Sequence, residues 1–412
     1  MILGCIADDF TGAGDIASIL TGRGMRTSLL TNMRDIAEAR GDAVVVALKT
    51  RSEHRADAVS KSLAALRELR AAGCRQIYFK YCSTFDSTPE GNIGPVVEAL
   101  ARELDADKVL LCPSFPANGR TMYQGHLFVG DQLLSESAMR DHPITPMTDS
   151  DLRRWLALQC ENDVSLIAHD IVRQGEGAVR DAIHRAPNRL ILIDATSDED
   201  LLEIGSAAAD MVLITGGSAL AMALPENFRK LGLIRKFAPD SVVCEGPAIV
   251  LAGSCSAATN RQVAVYRERN PSFAIDAREL LSGAPVVEIA DAFAKQHADQ
   301  APLIYSTITP EDVASNRNGH TFSAASTAIE MLMAELATRA VARNVKRVVV
   351  AGGETSGAVI EALQPGELMV GPEITPGVPV LTAGGVGYVL KSGNFGGDDF
   401  FEVALRLLET GA

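Results

Sequence analysis

The sequence predicts an α/β protein with two domains, each built as a mainly parallel sheet flanked by helices. Short apolar runs alternate with longer segments whose apolar residues lie three and four positions apart, which is typical of strands alternating with helices. That alternation favours a parallel sheet with helices on both faces. The length of 412 residues exceeds the usual size of one domain, so we predict an N-terminal domain over 1–230 and a C-terminal domain over 245–412.

The first half contains six candidate strands and two clear candidate helices. The strands are Ile2–Ala7, Ala43–Leu48, Gln76–Tyr81, Lys108–Cys112, Leu190–Asp194 and Met211–Thr215. The segments Ala58–Ala72 and Ile93–Leu104 repeat apolar residues at helical spacing. The alternation stops between about Pro225 and Pro247, where FRKLGLIRKFAPDS is basic and weakly periodic, so we place the domain crossover there.

A second series of strands and helices follows this crossover. The strands are Ala248–Leu251, Phe273–Asp276, Leu303–Ser306, Arg347–Ala351 and Val378–Leu381. The segment Ser323–Arg343 is rich in Ala, Leu, Met and Glu and is predicted as a long helix. The second half is therefore also predicted to be α/β.

Composition excludes several classes of protein. The net charge of −14 argues against nucleic-acid and anionic-membrane partners, although local N–H groups still allow phosphate binding. No run of about 18 apolar residues is present, and MILGCIADDF is predicted as a first strand and not as a signal peptide. The seven cysteines are scattered without a C-x-x-C pair, so we expect reduced thiols and a cytoplasmic location.

The first candidate site is the pair Asp8-Asp9, which follows the first strand and precedes a helix in IADDFTGAGD. Ligands of open α/β sheets bind beyond the carboxyl ends of strands, where these carboxylates would lie. They could accept hydrogen bonds from a polyol, and one could deprotonate a hydroxyl group. The alternative is that one aspartate caps the helix and the other is solvated.

Polar groups at two further strand ends suit an anionic ligand. Lys80 ends a strand, and Asp86-Ser87-Thr88-Pro89 predicts a capped helix start whose N–H groups could bind a carboxylate. Arg51 follows the strand Ala43–Leu48 and could hold a carboxylate bidentately. The alternatives are a Ser/Thr-rich turn for the first segment and a surface salt bridge for Arg51.

A Gly/Pro-rich loop after the fourth strand adds Asn118, Arg120 and His126. Arg120 is a candidate contact to the substrate. His126 could act as a general base, although a histidine in a loop is more often structural or exposed.

The second half carries loops that are typical of phosphate binding. Gly253-Ser254-Cys255-Ser256 and Gly352-Gly353-Glu354-Thr355-Ser356-Gly357 each lie between a strand and a helix. Small residues and free N–H groups at a helix N-terminus cradle phosphate, although an ordinary tight turn has the same pattern. Gly396-Gly397 adds a third glycine segment.

Asp398-Asp399 follows these glycines and could hold Mg²⁺ through water, or could supply the first-turn acids of the last helix. The sequence contains no G-x-x-x-x-G-K-[ST] segment and no protein-kinase signature. A dinucleotide fingerprint does not follow the first strand, which disfavours a standard dinucleotide site. The two doubly wound halves leave a dehydrogenase as a further alternative.

Taken together, ADDFTGAGD, Thr50-Arg51-Ser52, KYCSTFDST, GSCS, GGETSGA and KSGNFGGDDFF resemble the four-carbon acid sugar kinase family over nearly the whole chain. The resemblance implies an N-terminal sugar-acid domain, a C-terminal nucleotide domain and ATP as phosphoryl donor. It assigns acid-sugar contacts to Asp9, Arg51 and the Asp86-Ser87 region. It assigns ATP contacts to Ser254 or Ser256, to Gly352–Gly357 and to Gly396-Gly397.

Five residues separate Lys80 from Asp86, which favours the branch of this family that phosphorylates the terminal hydroxyl of a 3-oxo four-carbon acid. The predicted mechanism docks the acid on Arg51, Lys80 and Ser87-Thr88, with Asp8 or Asp9 as base and with Mg²⁺ and domain closure assisting. Alternatives are a D-threonate or erythronate kinase and a nucleotide-gated sugar-acid-binding protein without turnover. We expect no nucleic-acid or membrane partner, and self-association as a homo-oligomer stays open.

Overall fold

The computed structural model describes residues 1–142, 144–238, 243–306 and 319–411, with side chains from 324 onward in the last range. The chain divides into two compact units, Met1–Ala238 and Pro239–Ala412. Part of the predicted crossover, residues 239–242, lies outside the described residues. In the described parts of the chain, no helix is both long and apolar enough to cross a membrane. None of the seven cysteines forms a disulfide bond.

Among its described residues, the first unit has a sheet of eight parallel strands in the order β2-β3-β1-β4-β11-β5-β10-β9. Its strands are β1 Leu3–Ala7, β2 Thr27–Leu30, β3 Ala43–Ala47, β4 Gln76–Lys80, β5 Val109–Cys112, β9 Val164–Ile167, β10 Leu190–Ile193 and β11 Leu213–Gly216. Helices cover parallel strands, which explains why β1, β5 and β10 are continuous apolar runs and why these strands and β4 are buried throughout.

Eight α-helices accompany this sheet in the described residues of the first unit. They are α1 Phe10–Gly22, α2 Arg55–Ala71, α3 Ile93–Glu103, α4 Leu152–Ala157, α5 His169–Val172, α6 Glu176–Arg185, α7 Asp198–Ala207 and α8 Leu224–Lys230. The predicted helices Ala58–Ala72 and Ile93–Leu104 correspond to α2 and α3 within a few residues. The prediction missed β2 and β9, which are only four residues long.

The segment predicted as a Gly/Pro-rich loop is instead a small antiparallel sheet of β6 Arg120–Tyr123, β7 His126–Val129 and β8 Gln132–Leu133. Gln124 and Gly125 form its first turn with φ of 52° and 78°, as a two-residue hairpin with the type I′ twist requires. The buried Asp194, just after β10, accepts hydrogen bonds from both of their N–H groups at 2.6 and 2.9 Å. A carboxylate distant in sequence therefore fixes this hairpin.

The sheet of the second unit has the order β13-β14-β12-β15-β18-β17-β16. Its strands are β12 Ala248–Ala252, β13 Ser272–Ile275, β14 Leu303–Ser306, β15 Arg347–Ala351, β16 Glu367–Thr375, β17 Val378–Ala383 and β18 Val386–Lys391. The neighbouring strands β13, β14, β12, β15 and β18 pair in parallel. Strand β17 pairs antiparallel with both β16 and β18. The α/β architecture with mainly parallel strands is thus confirmed.

The helices described in the second unit are α9 Ala257–Tyr266, α10 Ala277–Leu281, α11 Val286–Gln296, α12 Gly319–Ala342, α13 Gly353–Leu363 and α14 Phe400–Thr410. The predicted long helix Ser323–Arg343 is confirmed as α12. Gly384 and Gly385 make the β17–β18 hairpin turn with φ of 57° and 75°.

In each unit the later strands are placed first on one side of the first strand and then on its other side. In the first unit β3 and β2 lie on one side of β1 and β4 lies on the other, and in the second unit β14 and β13 flank β12 opposite β15. Ligands of open α/β sheets bind beyond the carboxyl ends of the strands at such a change of side. The fold therefore directs attention to the segments after β1, β3 and β4 and to those after β12 and β15.

Candidate acceptor and nucleotide sites

Three strand ends of the first unit converge on Asp8. Ala7, the last residue of β1, is level with Ala47 of β3 and Lys80 of β4. The Asp8 N–H donates to the Lys80 carbonyl at 3.0 Å, and the N–H groups of Thr50 and Arg51 donate to the Asp8 carbonyl. The backbone itself therefore places the predicted residues after β1, β3 and β4 side by side.

Arg51 pairs with both aspartates. Its Nε and Nη2 donate to Oδ2 and Oδ1 of Asp8 at 3.0 and 2.8 Å, and Nη2 also donates to Asp9 Oδ1 at 2.7 Å. The Asp8 side chain is 2% exposed, whereas that of Asp9 is 22% exposed. Asp8 is thus a buried partner that fixes the guanidinium, and Asp9 is the carboxylate that solvent and ligands can reach.

The pKa values of the two carboxyl groups shift in opposite directions. Burial raises the pKa of Asp8 and outweighs the opposing effect of Arg51. Burial would also raise the pKa of Asp9, but Arg51, Lys80, Thr11 and the Gly12 N–H together bring it below its usual value. Burial lowers and the two aspartates raise the pKa of Arg51, with a net strong increase. Asp9 is therefore the ionised, accessible acceptor of this cluster.

Asp9 also caps α1, as the alternative interpretation of the sequence expected. Its carboxylate accepts from the Gly12 N–H at 2.9 Å and from the Thr11 hydroxyl at 2.7 Å. A Cβ atom at Gly12 would lie 2.4 Å from Asp9 Oδ1 and 2.9 Å from Lys80 Nζ. Gly12 is thus required by the close approach of these two side chains, and the Lys80 ammonium lies beside the first turn of α1.

The predicted helix start at Asp86–Pro89 is wrong. Helix α3 begins at Ile93, and its N-cap Asn92 makes no side-chain capping bond. The Asn92 amide instead donates to the Thr50 carbonyl at 2.6 Å and to the carbonyls of Arg51 and Glu53 at 3.3 and 3.2 Å. Asn92 therefore holds the loop that carries Arg51, a role that an asparagine before a helix does not reveal in sequence.

Ser87 and Asp86 lie in a loop before α3 and not at the predicted helix start. The Ser87 hydroxyl donates to the Phe85 carbonyl at 2.9 Å and accepts from Trp155 Nε1 and Gln159 Nε2 at 3.1 and 3.0 Å. These contacts use its hydrogen-bonding capacity, so Ser87 braces the loop. The half-buried Asp86 accepts from Thr84 at 2.6 Å, and the Thr88 carbonyl accepts from Gln159 at 2.9 Å.

Arg120 and His126 make their described hydrogen bonds near their own hairpin. Arg120 Nη1 donates to the Asn118 carbonyl, and His126 Nδ1 contacts the Gln124 carbonyl at 3.0 Å. No hydrogen bond of the described residues joins either side chain to Asp8, Asp9 or Arg51. Their assignment as substrate or base residues stays a prediction.

In the second unit the segments after β12, β15 and β18 meet. The Gly253 N–H donates to the Ala351 carbonyl at 3.0 Å, and the Gly352 N–H donates to the Lys391 carbonyl at 2.9 Å. Ser256 caps α9 by accepting from the Thr259 N–H at 3.2 Å, and the Ser254 hydroxyl accepts from the Ser256 N–H at 3.2 Å. The two predicted serine positions thus shape the start of one helix.

The segment Gly352–Gly357 contains the first turns of α13. Gly352 is its N-cap with φ of 126°, where a Cβ atom would lie 2.9 Å from Thr355 Oγ1. Thr355 and Ser356 are buried, whereas Gly353, Glu354 and Gly357 are partly or more exposed. The exposed N-terminal turn of α13 and its glycines suit an anion.

Lys391, the last residue of β18, is fully buried below these segments. Its ammonium donates to Thr259 Oγ1 at 2.9 Å and to the carbonyls of Ser392 and Gly393 at 3.1 and 3.0 Å. Gly393 O also accepts from Ser256 and Thr259 at 2.6 and 2.8 Å. Burial lowers the pKa of Lys391 to about 7.

Two family models match the chain and divide it at the same place as the compact units. A model for a sugar-binding N-terminal domain matches residues 3–224, and a model for a nucleotide-binding C-terminal domain matches residues 249–401. The chain is 49% identical to the 3-oxo-tetronate kinase of Cupriavidus necator, with 99% of this chain and 97% of that protein covered. The chain belongs to the four-carbon acid sugar kinase family.

A further curated relative and a solved structure match the chain over nearly its whole length. The 3-oxo-tetronate kinase of Pseudomonas savastanoi pv. phaseolicola is 50% identical, with 99% of this chain and 97% of that protein covered. A crystal structure from Salmonella typhimurium LT2 has a TM-score of 0.86 at 42% identity and covers 98% of both chains. The family resemblance and the predicted kinase class are thereby confirmed.

The buried Lys391 of this family member predicts a pH dependence of stability. Its pKa is about 7 in the folded chain and about 10.4 in an unfolded one, so the unfolded state binds more protons between these values. Stability should therefore rise with pH in this window, by about 1.4 kcal/mol per pH unit for this group. Urea unfolding at pH 7.5, 8.5 and 9.5 should show this slope as the difference between wild type and Lys391→Met. The same pH dependence of the unfolding free energy in both proteins would contradict this prediction.

Proposed function

We propose that the chain transfers the γ-phosphoryl group of ATP to the terminal (4-) hydroxyl of 3-oxo-tetronate, which yields the 4-phosphate. The observation that carries this proposal is the identity of 49–50% with 3-oxo-tetronate kinases over 99% of this chain. The ion-paired cluster of Asp8, Asp9 and Arg51 in the part matched by the sugar-binding model supports it.

The acceptor binds in the first unit, where each charged group has a distinct task. Arg51 and Lys80 supply positive charge for the substrate carboxylate, and Asp8 fixes the guanidinium by two hydrogen bonds. Asp9 accepts a hydrogen bond from the terminal hydroxyl and takes its proton as the new oxygen–phosphorus bond forms and the bond to ADP breaks. Asp86 and Thr88 are further proposed contacts, and Ser87 braces their loop.

The donor binds in the second unit, in the part matched by the nucleotide-binding model. Ser254, Ser256 and the residues Gly352 to Gly357 surround the helix starts of α9 and α13. Gly253 supports this assignment, since a Cβ atom there would lie 2.3 Å from Thr355 Oγ1 and would separate the two segments. Gly396 and Gly397 complete the proposed phosphate contacts.

We propose that Mg²⁺ binds together with the nucleotide. Asp398 Oδ1 accepts from Arg261 Nε at 3.0 Å in an exposed ion pair, and Asp399 begins α14 without a capping bond. The described residues contain no cluster of three or more metal-binding side chains. One or two carboxylates suffice when phosphates and water supply the other ligands, so Asp398 and Asp399 fit this role. A bound Mg²⁺ would neutralise phosphate charge.

An ADP-release assay with 3-oxo-tetronate, D-threonate, L-threonate and D-erythronate tests the proposal. We expect kcat/KM for the 3-oxo acid to exceed that for each hydroxy acid by at least tenfold. A preference for a threonate or erythronate would overturn the branch and favour the hydroxy-acid kinases of the family. ADP binding without release of ADP from ATP for any acid would instead indicate a binding protein without turnover.

A further inference from the structure

The loop 392–398 follows β18, and five of its carbonyl oxygens accept hydrogen bonds from two buried side chains. Lys391 Nζ donates to the carbonyls of Ser392 and Gly393 at 3.1 and 3.0 Å. Gln262 Nε2, from α9, donates to the carbonyls of Phe395, Gly396 and Gly397 at 2.9, 3.1 and 3.0 Å. Gln262 is 1% exposed and Lys391 is fully buried, so both act from beneath the loop.

This arrangement fixes the direction of the loop's N–H groups. A trans peptide unit is planar, and its C=O and N–H bonds point in opposite directions. The five restrained carbonyls therefore turn five N–H groups away from the two buried side chains: those of Gly393, Asn394, Gly396, Gly397 and Asp398. None of these five N–H groups donates a hydrogen bond within the described part of the chain. Successive outward N–H groups form the kind of concavity that binds an anion.

Lys391 is a second feature that favours an anion at this loop. Its three hydrogen-bond acceptors, on Thr259, Ser392 and Gly393, are all neutral. No carboxylate among the described residues forms an ion pair with it, and the Phe400 ring lies 5.7 Å from its nitrogen. A negative ligand nearby would stabilise the charged form of this buried lysine, which no carboxylate of the described residues does.

We propose that Gln262 and Lys391 are positioning residues for the nucleotide: they draw the loop carbonyls inward and so aim the N–H groups of residues 393–398 at its phosphates. The inference rests on the proposed function, because it takes the ligand of the second unit to be a nucleotide. It adds two side chains that do not touch the ligand. A purely structural role is the alternative, in which both residues only stabilise the loop.

Binding measurements separate these two roles. ADP and adenosine are titrated calorimetrically into wild type, Gln262→Met and Lys391→Met of the full chain at one salt concentration. We expect both variants to bind ADP at least tenfold more weakly and adenosine within twofold of wild type, since only the phosphates use the loop. Their KM for ATP should rise by a similar factor, with the KM for the sugar acid unchanged.

Tyr266→Phe is the matched control. Tyr266 lies on the same helix as Gln262, and its hydroxyl donates to the Ala301 carbonyl at 2.7 Å without contacting the loop. This variant should bind ADP as wild type does. Gln262→Asn, which keeps an amide on a shorter side chain, replaces Gln262→Met if that variant does not fold, and the same loss of ADP affinity is expected.

Unchanged ADP affinity in the Gln262 and Lys391 variants would overturn the positioning role, and so would an equal loss of ADP and adenosine affinity. Failure of wild type to bind ADP would overturn the nucleotide site itself, which distinguishes a failure of the proposed function from a failure of this inference.

Discussion

Replacing Asp9 with Asn should lower kcat by about 10²–10⁴-fold, the range that a lost general base produces. Asparagine is as good a helix N-cap as aspartate, so the bond from the Gly12 N–H and the start of α1 should survive. The amide cannot take the proton of the substrate hydroxyl. ADP affinity should be unchanged, because Asp9 lies in the sugar-binding part of the chain.

The measurement is steady-state ADP release together with calorimetric ADP binding. Asp276→Asn is the matched control, since Asp276 also caps a helix, α10, and pairs with an arginine, Arg278, at 2.8 Å. It should leave kcat unchanged. A kcat for Asp9→Asn within threefold of wild type would show that Asp9 is not the base. Asp8→Asn should act mainly on stability and KM, because Asp8 is buried against Arg51.

Replacing Arg51 with Met should destabilise the chain by about 3–5 kcal/mol, the usual cost of leaving one member of a buried ion pair without its partner. Asp8 would lose both hydrogen bonds and its only ion pair among the described residues. The KM for the sugar acid should rise at least tenfold, because the guanidinium that we propose to bind the substrate carboxylate is gone.

Chemical denaturation of the single and double variants tests this expectation. Asp8→Asn combined with Arg51→Met should recover part of the lost stability, since no unpaired buried charge is left, and the cycle gives the coupling energy. Arg154→Met is the control: Arg154 is 64% exposed and pairs with Asp149 at 2.8 Å, and exposed pairs of this kind contribute about 0–1 kcal/mol. Its second partner, the buried Asp151, keeps its ion pair with Arg153 in this variant. Equal stability of Arg51→Met and wild type would refute the buried pair.

Local sequence patterns predicted most of the elements that carry the two sites. The strands ending at Ala7, Lys80 and Ala351 and the helix α12 follow from apolar periodicity, which depends only on neighbouring residues. Because parallel strands end at a common edge, the predicted strand ends were enough to expect Asp8-Asp9 and Arg51 at the same edge of the sheet, and the order β2-β3-β1-β4 then makes them neighbours.

Contacts between residues distant in sequence explain the two segments whose structure was predicted wrongly. The hairpin containing Arg120 depends on Asp194, which lies 70 residues from Gln124. The segment around Ser87 has the residues of a helix cap, but Trp155 and Gln159 bind its hydroxyl and keep it as a loop. In both places a hydrogen bond from far along the chain outweighs the local preference.

By itself the sequence determined the α/β fold, the positions of the site segments at strand ends and the family to which the chain is similar. The tertiary structure alone decided how the charged residues divide their tasks: Asp8 is buried as the partner of Arg51, Asp9 stays accessible, and Lys391 lies without a carboxylate partner among the described residues. The physical reason is that the charge of each residue and the spacing of apolar residues can be read directly from the sequence. Burial and hydrogen-bond partners depend on segments that only folding brings together.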